Sequence, residues 1–478
     1  MTESLTARLG RFVHGFKHQD IPEDARTLVR SAFADTVGVI MAGLDEQVVG
    51  LVHRYAKATD AGVDARVCLT GSRASSPTAA LVGGTAAHAL DYDDQSLSGH
   101  PSAVLVPVIL AEGERLGSSG RDLMAAYVVG YEVWAELIGR SAGYHARGWH
   151  PTSVFGTIGA TASAAYLNRL SPGETVAALA IAASQACGLA SNFGTMTKPL
   201  HAGLAARNGI VSAQLAASGM SAGNDVFDTA TGFLAAFAGE QPPDLDSAGR
   251  IGSRLYILNH RLCVKRYPTC YFMHRAFEAT VNLLAEPRVG AQEVERVEVT
   301  MGRGQTAVLT HERPVTGLEA KFSCQFAIAA AAILGRMGLR EVTDAVVQRE
   351  DIQSFFPKVT LIAVDESDPR DPAHSPTDRV QIFLRDGRVL DSGPIATVKG
   401  HANDPLSRDD LWDKFEECTA ATHDAAEREA LFDVLMRIDD LPGTDALPTW
   451  RHRGHIALDL DGQQRRDAAT AGASGGQF

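Results

Sequence analysis

The sequence predicts a mainly α fold, in which a large all-helical domain carries a smaller α+β lid domain. Three observations predict it. Residues 22–262 read as helix after helix, with apolar residues recurring at three- and four-residue spacing. After residue 263 the pattern changes to apolar residues alternating with polar ones, and helical patterning returns near residue 401. The expected domains are therefore 1–262 with 401–466 for the helical domain and 263–400 for the α+β lid. A Gly/Ala/Ser tail over 467–478 is expected to be disordered.

The elements follow in order. Pro22 with Glu23 and Asp24 makes a good first helical turn. Proline at N1 loses no needed N–H, and the acids face the positive end of the helix dipole. Val29, Phe33, Val37 and Ile40 carry that helix to Gly43. Further helices are expected at 77–90, 101–116, 120–140, 153–167, 172–190 and 204–220. Several are rich in Ala, Gly and Ser, as in SVFGTIGATASAAYL from Ser153, which lets helix backbones approach closely in a buried bundle. In the second region Val297, Val299 and Met301 alternate with polar neighbours. Val380, Ile382 and Leu384 do the same before an Asp386-Gly387 turn that returns through Val389. VTLIAVD from Val359 is a further strand, and the segment from Cys324 a buried helix. The stretches 405–418 and 425–437 are helical again.

Composition narrows the function classes. The 478 residues carry 44 Lys and Arg against 57 Asp and Glu, a net charge of −13, with 45% hydrophobic residues. That suits a protein with a large core and disfavours nucleic-acid or anionic-membrane binding, which rest on clustered cations. Any anionic substrate must meet a local basic pocket. Six scattered cysteines without a CxxC pair fit neither a disulfide scaffold nor a zinc ribbon. The N-terminus lacks a long apolar run, and stretches such as 103–111 are too short to span a bilayer. A cytoplasmic protein is expected.

Five segments could carry chemistry. HALDYDDQSLSGHP places Asp91, Asp93 and Asp94 before His100. Acids so close repel unless a cation or base compensates them, and a Mg²⁺-diphosphate reading lacks its second motif. GYHARGWHPTSVFG holds His145 and His150 in a Gly-flanked loop. TKPLH puts Lys198 and His201 ahead of a helical N-terminus, a sensible carboxylate site. CVKRYPTCYFMHR concentrates Lys265, Arg266, Cys270 and His274, and EAKFS adds Lys321. Each alone reads at least as well as a solvated or structural group, and a lone loop histidine or Lys321 reads better as one. Together they supply the cations and imidazoles expected around a di- or tricarboxylate.

The order and wording of FADTVGVIMAGL, GTAAHALDYDD, HPTSVFG, TKPLHAGLAARNG, KRYPTC, EAKFS and GHANDPLS resemble the MmgE/PrpD family. Its members include 2-methylcitrate dehydratase, cis-aconitate decarboxylase and iminodisuccinate epimerase. The resemblance implies the helical domain with its lid, a homodimer, and no metal or organic cofactor. It also implies a catalytic set of Asp91, His100, His150, Lys198 and the position of Cys270, where the decarboxylase has histidine. The loop after Asp94 is one residue shorter here. Gln95, His201, Lys265, Arg266, Tyr267, His274 and Lys321 are the expected substrate-binding residues.

The shared chemistry is a carbanion next to a carboxylate, which needs preorganised cations when no metal is used. Lys198 and a lid cation would hold carboxylates, His150 or His100 would move the proton, and Asp91 would orient an imidazole. The first reading is thus a cofactor-independent lyase of a small di- or tricarboxylate, a dehydratase before a decarboxylase. An epimerase or racemase of an amino- or imino-dicarboxylate is the alternative, with Cys270 and a histidine as its two bases. A catalytically silent helical dimer is the third reading.

Overall fold

The computed structural model describes residues 3–140, 144, 147–238, 242–245, 250–286, 288–368 and 374–450. The expected tail and His145 lie outside them. The fold is mainly α, and among the described residues two large hydrophobic cores stand out. The larger one runs from Leu5 through Phe33, Val104, Trp134, Phe155 and Ile210 to Phe415, Phe432 and Trp450. The helices Arg408–Thr419 and Ala425–Leu435 pack into this core. The smaller core joins Phe277, Val297, Met301, Phe326 and Ile382.

Its sheet has four strands, in the order Val359–Val364, Val294–Gly302, Arg379–Leu384 and Val389–Asp391. Val297 pairs with Val359 in parallel and with Ile382 antiparallel. Val297, Val299 and Met301 are buried, as their two-residue spacing requires of a half-buried strand. The Asp386-Gly387 turn closes the hairpin, with Gly387 at φ 89°.

Small residues set the spacing of three of the helices that position the site. Ser76–Ala89 lies against Thr197–Ala217 so closely that a Cβ on Gly84 would fall 2.9 Å from the Gly203 Cα. A Cβ on Gly209 would come 2.4 Å from the Ala160 Cβ in Pro151–Leu167. Larger residues at these crossings would push apart the helix ends that carry Asp91, Lys198 and His150.

Some expectations are corrected. Pro22 is the N-cap of Glu23–Gly43 rather than its first helical residue. TKPLH lies inside the helix Thr197–Ala217, not ahead of it. The helix from Pro172 ends at Ala183, and that from Cys324 at Ile333. Between residues 218 and 262 only Phe233–Phe237 and Tyr256–His260 are helical among the described residues. Gly219, at φ 91°, and Gly223, Gly232, Pro242 and Pro243 interrupt any longer helix there. Leu5–Gly15, Gln47–Thr59 and His274–Ala285 are helices that add to the expected set. No single helix among the described residues is long and apolar enough to cross a membrane.

Candidate active site

Asp91 follows the helix Ser76–Ala89 and takes the left-handed conformation at φ 51°. That conformation ends helices readily for glycine but costs another residue roughly 1–2 kcal/mol. Here it holds the carboxylate between two ammonium groups. Lys198 Nζ donates to Asp91 Oδ1 at 2.7 Å, and Lys265 Nζ donates to the same oxygen at 3.0 Å and to the Asp91 carbonyl at 2.8 Å. All three side chains are buried. Lys198 sits in a first helical turn, where the dipole opposes a cation, and Asp91 offsets that cost. Its ammonium also lies 4.9 Å from the Phe322 ring centre. Lys265 reaches the site because Gln95 and Cys263 exchange backbone hydrogen bonds of 2.8 and 2.9 Å.

Two imidazoles stand at helix N-caps, each followed by proline at the first helical position: His100 before Pro101–Leu116 and His150 before Pro151–Leu167. His150 Nδ1 lies 3.1 Å from His201 Nδ1. His100 Nδ1 is 3.0 Å from Asp93 Oδ2, and its Nε2 is 3.9 Å from Asp91 Oδ1. One cavity is walled by Asp91, Gln95, His100, His150, Lys198, Lys265 and Cys270, and on its apolar side by Phe193, Phe322, Phe272 and Val308.

Burial would raise the Asp91 carboxyl, but Lys198 and Lys265 more than offset it and hold the group well below the usual carboxylate range. Lys265 is raised in turn, because Asp91 and Asp93 outweigh its burial. The imidazoles move the other way. Burial, with the Lys198 charge added, holds His150 well below its ordinary value, and burial likewise lowers His100 despite Asp93. His201 is pushed down to about 4 by burial and Lys198. The cavity therefore sets imidazoles that burial biases toward the neutral, proton-accepting form beside the lysines on Asp91. Burial pushes the Cys270 thiol up to about 11, so it keeps its proton.

The remaining expected residues are not on the cavity wall. His201 stands behind His150. Lys321 donates to the Ala89 carbonyl at 2.8 Å, where it caps the carboxyl end of a helix instead of meeting substrate. Arg266 is half exposed and faces Glu278, and Tyr267 donates to the same carboxylate at 3.0 Å. His274 is buried among Tyr267 and Tyr271, with Nε2 3.3 Å from the Thr269 carbonyl. Asp91 is clamped by lysines, and the carboxylate that touches imidazoles is Asp93. It lies 3.0 Å from both His88 Nδ1 and His100 Nδ1. His88 is the group missed in the sequence. Its signal was a lone imidazole in the last turn of an apolar helix, five residues before an acid.

His88, Asp91, Asp93 and His100 bring possible ligand atoms within 4.8 Å of one another. Two ammonium groups already lie within 3.0 Å of Asp91 Oδ1, and their repulsion opposes a divalent cation there. The donor set suits lysines and protons.

Comparison with known proteins agrees with this architecture. The MmgE/PrpD N-terminal domain model matches residues 7–246 and the MmgE/PrpD C-terminal domain model matches residues 267–438. The chain is 28% identical to the cis-aconitate decarboxylase of Homo sapiens over 463 residues, covering 94% of this chain and 95% of that protein. It is 29% identical to that of Mus musculus over 464 residues, covering 94% and 93%. The cis-aconitate decarboxylase-like protein oryM of Aspergillus oryzae is 26% identical over 469 residues, covering 91% and 95%. With both domain models matched in order along one mainly helical chain, the protein belongs to the MmgE/PrpD family.

Proposed function

We propose that the protein is a lyase of a small di- or tricarboxylate, working through a carbanion next to a carboxylate and without a cofactor. The observation that carries this reading is the meeting of Lys198 and Lys265 on Asp91 Oδ1, at 2.7 and 3.0 Å, in a cavity that His100 and His150 also line. Each ammonium has three donors, so both can serve Asp91 and still reach a substrate carboxylate. As a proton leaves the adjacent carbon, charge grows on that carboxylate, and cations already in place stabilise it without reorganising.

His150 takes the proton as a neutral base. The electron pair left on carbon forms the double bond as hydroxide leaves the neighbouring carbon. The His150 imidazolium then returns a proton to the departing hydroxide. Water is lost and the site is neutral again. His100 accepts from the substrate hydroxyl through Nε2. Dehydration uses each of these groups in the protonation state it already holds.

Decarboxylation is the second reading, favoured by the names of the relatives. In it the electron pair comes from the departing carboxylate as CO₂ leaves, and carbon must gain a proton. An epimerase needs a second base, and a Cys270 thiol pushed up to about 11 is poorly suited to be one.

Incubation in D₂O with 2-methylcitrate, citrate, cis-aconitate, tartrate and iminodisuccinate tests these readings. Loss of water from a hydroxy acid is the expected result, CO₂ release indicates decarboxylation, and deuterium uptake without net product indicates epimerisation. No turnover and no exchange on any of them would contradict the proposal.

A further inference from the structure

Behind the cavity wall lies a buried group that the chemistry above does not use. Asp93 receives two imidazoles: His88 Nδ1 lies 3.0 Å from each of its oxygens, and His100 Nδ1 lies 3.0 Å from Oδ2. His88 and Asp93 are fully buried, and His100 is only 13% exposed. His100 Nδ1 is also 3.0 Å from the Asp94 carbonyl. Both partners of that nitrogen are acceptors, so it must carry the proton, which leaves Nε2 as a bare lone pair. His88 follows the same logic through its single partner. Its ring packs 4.5 Å from that of His100 and 5.9 Å from that of His150, and its buried Nε2 has no hydrogen-bond partner among the described residues.

We infer that Asp93 and His88 are positioning residues of the proton-transfer site: they hold His100 with Nε2 bare toward the cavity and set how readily it takes a proton. A carboxylate on the far nitrogen fixes the tautomer of the ring and strengthens Nε2 as an acceptor for the substrate hydroxyl, as the aspartate of a hydrolase triad fixes its imidazole. His88 competes for the same charge and tempers it. The burial that would protonate Asp93 is outweighed by the two imidazoles, which hold it well below the usual carboxylate range. The other groups facing His100 are Asp91 on its loop, Lys198 and Lys265 across the cavity and His150 on the neighbouring helix. Asp94 and the Asp35–Lys414 pair lie behind Asp93.

The inference rests on reading this cavity as a proton-transfer site, yet its test does not need turnover. Long-range ¹H–¹⁵N spectra of histidine-labelled protein report the tautomer and titration of each ring. In the resting wild type both His88 and His100 are expected as Nδ1–H tautomers. Asp93→Asn keeps the Asp94 carbonyl, so His100 should keep its tautomer while its pKa falls by about 1. His88→Phe keeps the ring and removes the competing donor, so the His100 pKa should rise. On whichever substrate is turned over, Asp93→Asn should lower kcat on the order of 10²-fold with little change in KM. An Nε2–H tautomer of His100 in the wild type, or a His100 titration unmoved by both variants, would overturn the inference. Tautomers and opposite shifts as expected, with no turnover of any carboxylate, would support the positioning and count against the lyase reading alone.

Discussion

Lys198 and Asp91, 107 positions apart in the chain, meet at 2.7 Å in a buried ion pair. Lys265 joins them on the same carboxylate oxygen. Buried charges of this kind persist only when each has a partner, and removing one leaves the rest uncompensated. The pair thus ties the first turn of one helix to the end of another and keeps a cation ready at the cavity wall.

Lys198→Ala should raise KM and also lower kcat, because the carboxylate it holds gains charge in the transition state. Steady-state kinetics beside a thermal melt separate this from unfolding. A variant that melts as the wild type does and changes KM alone would mean that Lys198 holds the ground state and the transition state equally.

Cys270 lines the cavity, but burial pushes its thiol up to about 11. Cys270→Ser should therefore be nearly silent in a lyase that uses one base. Severe loss of activity, with loss of solvent deuterium exchange into substrate, would instead make the thiol a base and favour epimerisation.

His274 is buried, and burial together with the Lys265 charge pushes it down to about 3. Its unfolded value is near 6.5, so between those limits the unfolded chain binds a proton that the folded chain does not. Stability from this group is complete above about 6.5 and is lost as pH falls, by about 1.4 kcal/mol per pH unit. His274→Phe removes the titration. Denaturant melts at pH 6, 5 and 4 should show the wild type losing more stability than the variant by that amount per step. Parallel curves would mean that His274 is not held neutral.

Much of the fold is legible because burial imposes a period. Val297, Val299 and Met301 must share one face of a strand. The helices 101–116 and 172–183 are announced by proline at their first positions, where a missing N–H costs nothing. The cavity residues are legible for a related reason, since His100 and His150 directly precede such prolines and Lys198 lies in a helix's first turn. Side-chain direction is not legible. Arg266 and Lys265 are adjacent, yet one faces solvent and the other is fully buried, which depends on the Gln95–Cys263 pairing of distant segments. Lys321 reads as a substrate cation but serves the Ala89 carbonyl 232 positions away. His88 looks like one more residue of an apolar helix until the loop folds Asp93 back onto it.

In the proposed mechanism a neutral His150 moves the substrate proton. The most direct test is the kinetics of His150→Gln on the carboxylate that the wild type turns over. The expected result is a kcat lower by roughly 10²–10⁴-fold, with KM little changed and solvent deuterium exchange lost in proportion. A fully active His150→Gln would rule out His150 as the base and pass that role to His100.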